Sequence, residues 1–343
     1  MSRTVRPSLA VAQRERPIDE HRTFLVALKQ FPPLLGERGL LPVPRYVAAV
    51  RFRDAPSLFH PRYSDRLLAG VALAGILLSL VIVLGLPDAW PAPLTMLIWL
   101  VLWALYLSIV NVGQTFYAFG WETLLLEVGF LAAFLGPATS AVPAPLIWLF
   151  RWLLFRVEFG AGLIKMRGDP CWRDLTCLYY HHETQPMPNP LSWYFHHLPR
   201  PLHRLEVLGS HFAQLVAPLL LFLPQPIATF AGLFMVVTQS WLVLSGNFSW
   251  LNFVTIILAA SAFDDAALAR VLPLERASTM ALAWHDGVVL AVTALIVVLS
   301  YRPARNLLSQ SQLMNASFER RETGAWWVRT RLGEYLPPLT LTR

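Results

Sequence analysis

Residues 160–190 read GAGLIKMRGDPCWRDLTCLYYHHETQPMPNP and follow directly on an apolar run. The first group there with chemical potential is Lys165. A lysine kept as the free amine by burial or by cationic neighbours can act as a base. Arg167, Asp169, Arg173 and Asp174 stand close to it in sequence as partners, and Trp172 can roof the site. Gly160 and Gly162 allow a second helix to approach closely. The plainer role of a lysine that ends a membrane span is to snorkel to the headgroups, and the sequence leaves both roles open. Arg151, Glu158 and Lys165 recur at intervals of seven, close to two helical turns, so one helix face carries all three. Ionisable groups at membrane depth normally face a cavity or a partner.

Six of the nine histidines fall between His181 and His211. Membrane metal enzymes gather imidazoles on one helical face by i,i+3 or i,i+4 spacing. Here the rings come as adjacent pairs, His181-His182 and His196-His197, and neighbours on a helix point about 100° apart. No metal site is therefore expected, and no cofactor is implied. Aromatic-flanked histidines, as in YYHH and WYFHH, read as interfacial side chains with a wet tip. Glu183 and Thr184 precede the run QPMPNP, and an extended Pro-x-Pro segment suits either contact with a partner or a rigid connection between helices. Asn247, Ser249 and Asn252 lie in the apolar stretch SGNFSWLNF, where polar side chains bond across helices. The sequon at Asn247 is not expected to be an acceptor there. Nucleotide-driven and hydrolase chemistry lack their P-loop, Rossmann, Gly-x-Ser-x-Gly and His-Glu-x-x-His motifs.

The elements that must hold these groups follow from composition. The chain has 343 residues, 55% of them hydrophobic and 14% charged, against about 25% charged in an ordinary soluble domain. It reads as an all-α, polytopic membrane bundle in contact with membrane lipids. No charge occurs between Asp88 and Glu122, or between His211 and Asp264, and a span needs about 20 apolar residues. Apolar runs at 67–86, 91–110, 123–135, 143–164, 211–223, 227–244, 250–263 and 281–300 predict seven to eight spans. Residues 24–35, with Lys29 and Pro32-Pro33, predict only an interfacial helix, and residues 1–22 a disordered polar N-terminus. Between 166 and 209, repeated prolines exclude one long helix and predict a structured Pro/His/Trp-rich loop or re-entrant element.

The net charge of +7 sits between the apolar runs, at Arg45, Arg51, Arg53, Arg62 and Arg66, and after them, at Arg302 and Arg305. That is the topological signal of cytoplasmic loops, and nucleic acid is not an expected partner. The two cysteines, Cys171 and Cys177, are close enough to pair in an oxidising compartment, but two free thiols are the expected state.

Several longer motifs go beyond composition. GQTFYAFGWETLLLEVGFLAAFLGP at 113–137, the opening segment extended to 199, HRLEVLGSHFAQLVAP at 203–218, SGNFSWLNF at 245–253 and YRPARNLLSQSQLMNASF at 301–318 closely resemble the lipase maturation factor family. The resemblance implies a polytopic protein of the endoplasmic reticulum membrane, or of the cytoplasmic membrane in a bacterium. It implies a chaperone-like role in the folding, assembly or export of a secreted lipase-like client, with no established catalysis. With the loop touching the client, Glu158, Arg167, Asp169, Trp172, Arg173, Asp174, His181, His182, Glu183 and Asn247 are the expected client or cavity contacts. The family continues past NASF into a soluble domain, whereas this chain changes character at Glu319, so residues 302–343 read as a polar tail and that domain as missing. More distantly, Ala161, Gly162, Lys165 and Trp172 resemble a pattern in the horizontally transferred transmembrane domain shared with vitamin K-dependent gamma-carboxylase, in which a lysine is the proposed base.

Two functions follow. A non-enzymatic assembly factor tolerates Lys165→Ala, while changes at Trp172, Arg173 or Asp174 collapse the loop. A membrane enzyme acting on a lipid, quinone or peptide would use Lys165 as base, with Glu158, Arg167 and His181 or His182 as helpers, and would lose all activity on that substitution.

Overall fold

A computed structural model describes residues 8–137, 140–185, 187–270 and 283–307, and all the helical elements that follow lie among them. The chain divides into two units, one built on residues 1–146 with residues 275–309 and the other on residues 147–274.

In the first unit, α1 (Ser8–Leu35) runs through the polar N-terminus that was expected to be disordered. Ala, Gln, Arg and Glu between residues 10 and 20 are good helix formers, and the helix continues into a packed face. Phe24, Ala27, Phe31 and Leu35 are all fully buried. Their spacing of three and four puts them on one stripe, which faces α2 (Asp65–Val83). The stripe seats because Gly75 of α2 lacks a side chain: a Cβ there would lie 2.5 Å from three atoms of the Phe24 ring. Phe24 also meets Tyr106 of α3 (Ala92–Val112) edge-on, with ring centroids 5.6 Å apart. This stretch is therefore a bundle helix rather than an interfacial one. Tyr106 in turn donates to the buried Glu122 of α4 (Gly120–Ala132).

The second unit begins with α5 (Ala144–Arg167). Prolines then cut the central segment into short pieces: the turn Pro170–Arg173, α6 (Leu178–Thr184), α7 (Ser192–His196) and α8 (Arg200–His211). Two apolar helices follow, α9 (Ile227–Ser245) and α10 (Leu251–Ala259). Arg151 of α5 is a structural cation. Its Nε donates to the Ser261 carbonyl at 2.9 Å, Nη1 to Leu221 at 3.0 Å and Nη2 to Ala262 at 3.4 Å. Those carbonyls close helical turns that have run out of backbone donors. The chain returns to the first unit with α11 (Ala283–Leu307), whose His285 Nε2 lies 3.0 Å from the Phe134 carbonyl.

Four of these helices are long and apolar enough to cross a membrane: Asp65–Val83, Ala92–Val112, Ile227–Ser245 and Ala283–Tyr301. The all-α membrane class stands, and the described residues hold four such helices where seven to eight spans were expected. α5, at 24 residues, is long enough but carries Arg151, Arg156, Glu158 and Lys165, and three other runs are short. At 1.5 Å per residue the 13 residues of α4 reach only about 20 Å, against a hydrocarbon core of about 30 Å. The apolar run at 211–223 is interrupted by a π-turn at Phe212–Val216, and α10 has 9 residues. The polar tail at 302–343 lies almost entirely outside the described residues.

Candidate functional site

The site lies in the second unit, where the central segment folds back on the ends of α5, α8 and α9. Gly162 brings α5 close to the π-turn: a Cβ there would stand 2.6 Å from Leu215 Cδ2 and 3.0 Å from the Gln214 carbonyl oxygen. Two turns of α5 around it carry the ionisable groups. Glu158 is fully buried and accepts from Gln239 Nε2 of α9 at 2.6 Å. Lys165 donates to Ser210 Oγ of α8 at 2.6 Å, and its ammonium lies 4.5 Å from the centroid of the Trp172 ring, over its face. A cation over indole is held by the ring quadrupole. The Trp172 carbonyl lies 3.0 Å from His211 Nε2, which fixes the tryptophan over the lysine.

Arg167, Asp169, Arg173 and Asp174 are exposed, and Asp169 Oδ1 accepts from the Cys171 backbone at 2.9 Å, capping the turn Pro170–Arg173. Exposed Arg173 and Asp174 give no reason for the loop to collapse on their loss. Cys171 and Cys177 form a disulfide with their Cα atoms 4.7 Å apart, not two free thiols. The turn Pro170–Arg173 and Leu175, whose φ is +58°, bend the chain enough to bring the two side chains together.

The stretch QPMPNPLS proves to be a clamp. Gln185 Nε2 and Ser192 Oγ both donate to the Ser245 carbonyl, at 3.4 and 2.6 Å. Asn189 Nδ2 donates to the carbonyls of Val243 at 3.0 Å and Gly246 at 3.5 Å, while its Oδ1 accepts from the Leu191 backbone at 2.8 Å. These side chains satisfy the carbonyls that α9 leaves open at its C-terminus. Held in this way, the segment presents Met187, Trp193 and Tyr194 outward, the last two more than 60% exposed. Glu183 is also exposed, with Oε2 3.4 Å from His196 Nε2. Asn247 is exposed too, its Oδ1 accepting from the Ser249 backbone at 3.3 Å to close a local turn rather than bonding across helices.

The histidines behave in two ways. Adjacent rings diverge, as the spacing predicts: His181 and His182 are inclined by 66°, His196 and His197 by 86°. Yet the fold gathers groups from different helices, which spacing within one helix does not encode. His182 of α6 faces His203 and Glu206 of α8, with one ligand atom from each within 4.8 Å of the others. His203 Nδ1 lies 2.9 Å from Glu206 Oε2, and Trp241 Nε1 of α9 donates to Glu206 Oε1 at 2.7 Å. Burial pushes His181 and His182 below the usual imidazole range, and the nearby Lys165 charge adds to the effect at His181. Sequence reasoning missed His203, Glu206, Ser210 and Trp241. The i,i+3 relation of His203 and Glu206 on a helix was the available signal.

Residues 21–270 match the family described as lipase maturation factor transmembrane domain. Lipase maturation factor 1 of Mus musculus is 38% identical over 86% of this chain and 58% of its own length, and that of Homo sapiens is 38% identical with the same coverage. Lipase maturation factor 2 of Homo sapiens is 33% identical over 81% of this chain and 43% of its own length. The chain thus spans about three-fifths of the length of the first of these relatives. No solved structure matches it.

Proposed function

Because this chain belongs to the lipase maturation factor family, we propose that it assists the folding, assembly or export of a secreted lipase without catalysing a reaction itself. The observation that carries the reading is the clamped segment. Met187, Trp193 and Tyr194 are exposed on a backbone that Gln185, Asn189 and Ser192 hold against α9. Exposed aromatic anchors on a preordered surface bind a partner with little further loss of conformational entropy. The disulfide supports the same reading, since such bonds persist on the oxidising side of a membrane, where secreted proteins fold. That side is the endoplasmic reticulum lumen in a eukaryote and the periplasmic face of the cytoplasmic membrane in a bacterium.

The test is the release of active lipase from cells that lack their own maturation factor and express this chain. Trp193→Ser with Tyr194→Ser should abolish active lipase while the membrane protein accumulates normally. Undiminished lipase release by the double variant would remove the segment as the client surface.

A further inference from the structure

We propose that His182, His203 and Glu206 form a binding site for one zinc-class divalent ion, which ties α6 to α8. The first observation is His182 itself. Its side chain is only 4% exposed, and neither ring nitrogen has a hydrogen-bond partner. The Ser245 carbonyl alongside already accepts from Gln185 and Ser192. A buried imidazole whose nitrogens lack a well-made hydrogen bond carries an uncompensated desolvation cost, and a bound cation removes it.

The second observation is the hydrogen bonding around the other two groups. His203 stands between two acceptors, the Glu206 carboxylate at Nδ1 and the His196 carbonyl, 3.2 Å from Nε2. A neutral ring has one N–H and serves only one of them. If Nε2 carries the proton and donates to the His196 carbonyl, the Nδ1 lone pair faces Glu206 Oε2, and a cation between them satisfies both. This is how metal-bound histidines are usually oriented, with the far nitrogen donating to a backbone carbonyl. Glu206 has a matching outer contact, because Trp241 Nε1 donates to Oε1 and leaves Oε2 for the ion.

Two imidazoles and one carboxylate make a borderline nitrogen and oxygen set, the kind that zinc takes with water in the fourth position. Ligand atoms within 4.8 Å of one another compare with about 3.4 Å across a tetrahedral zinc with bonds of about 2.0–2.1 Å. Closure therefore asks the widest pair to draw in by no more than about 1.4 Å, and the His203–Glu206 pair, 2.9 Å apart, to open by about 0.5 Å.

The experiment uses the full chain in detergent, purified through a tag free of histidine, stripped with a chelator and reloaded with Zn2+ or Co2+. The expected result is one tightly held zinc per chain, with Co2+ giving the intense visible bands of a four-coordinate site. His182→Gln and Glu206→Gln should each lose stoichiometric binding. Trp241→Phe should weaken it about 10-fold to 100-fold, and His197→Gln, at an exposed ring, should change nothing. If the ligand variants fail to fold, X-ray absorption of the zinc-loaded wild type decides. Two imidazoles in a four-coordinate nitrogen and oxygen shell support the site, whereas a six-coordinate all-oxygen or a sulfur shell overturns it. Folded wild type that retains no stoichiometric zinc, or loses it equally with His197→Gln, also overturns it.

Discussion

Removing the clamp at residues 189 and 192 should free the central segment without unfolding the rest of the chain. Asn189→Ala deletes the bonds to Val243 at 3.0 Å, Gly246 at 3.5 Å and the Leu191 amide at 2.8 Å. Ser192→Ala deletes those to Ser245 at 2.6 Å and from the Asn189 amide at 2.9 Å. At about 1 kcal/mol net for each well-made bond, and with the usual shortfall from additivity between neighbours, the pair removes about 3 kcal/mol of local stability. At about 1.4 kcal/mol per decade, that makes opening roughly 100-fold more frequent. Amide exchange in detergent reads this directly if it is followed at Tyr194, Phe195 and His197, whose own acceptors, Leu191 and Trp193, survive the substitutions. Exchange at those amides should accelerate by about that factor, while α2 and the first half of α9 stay protected. An acceleration below about tenfold would show that packing holds the segment and that these polar contacts are incidental. A uniform acceleration along the chain would refute the idea that the clamp is a local device.

Further expectations concern the same unit. Gly162→Leu, with a side chain driven into Gln214 and Leu215, should cost at least about 1–3 kcal/mol, measured as a lower midpoint of thermal aggregation in detergent; an unchanged midpoint would mean that α5 and the π-turn can separate freely. Cys171 and Cys177 are the chain's two cysteines, so maleimide should add no label before reduction and two labels after it; labelling of both without reductant would mean the disulfide does not form. Lys165→Ala should leave lipase release close to wild type, because Ser210 and Trp172 hold the lysine as a structural cation, whereas complete loss from a stable protein would argue for chemistry at the amine.

Composition and pattern determined the class of this protein. Charge-free intervals longer than a bilayer span leave helices as the only way to satisfy the backbone, and long local motifs in the central segment marked the family before any fold was known. The stripe Phe24, Ala27, Phe31, Leu35 carries helical spacing in the sequence, but Lys29 and the two prolines led to only an interfacial helix, and its packing against Gly75 showed it to be a bundle helix. What the sequence did not hold was which ends meet. Asn189 and Ser192 read as connector residues until the C-terminus of α9 lies beside them. Glu206, three residues from His203 in the sequence, comes to face His182 only when α6 and α8 lie against each other. Hydropathy measures how apolar a run is, but whether it is long enough to cross depends on where a π-turn or short helix ends it, as at 211–223 and in α10. Hydrogen-bond completion between distant helix ends is a property of three-dimensional placement, and it is this that turns a proline-rich stretch into a rigid surface.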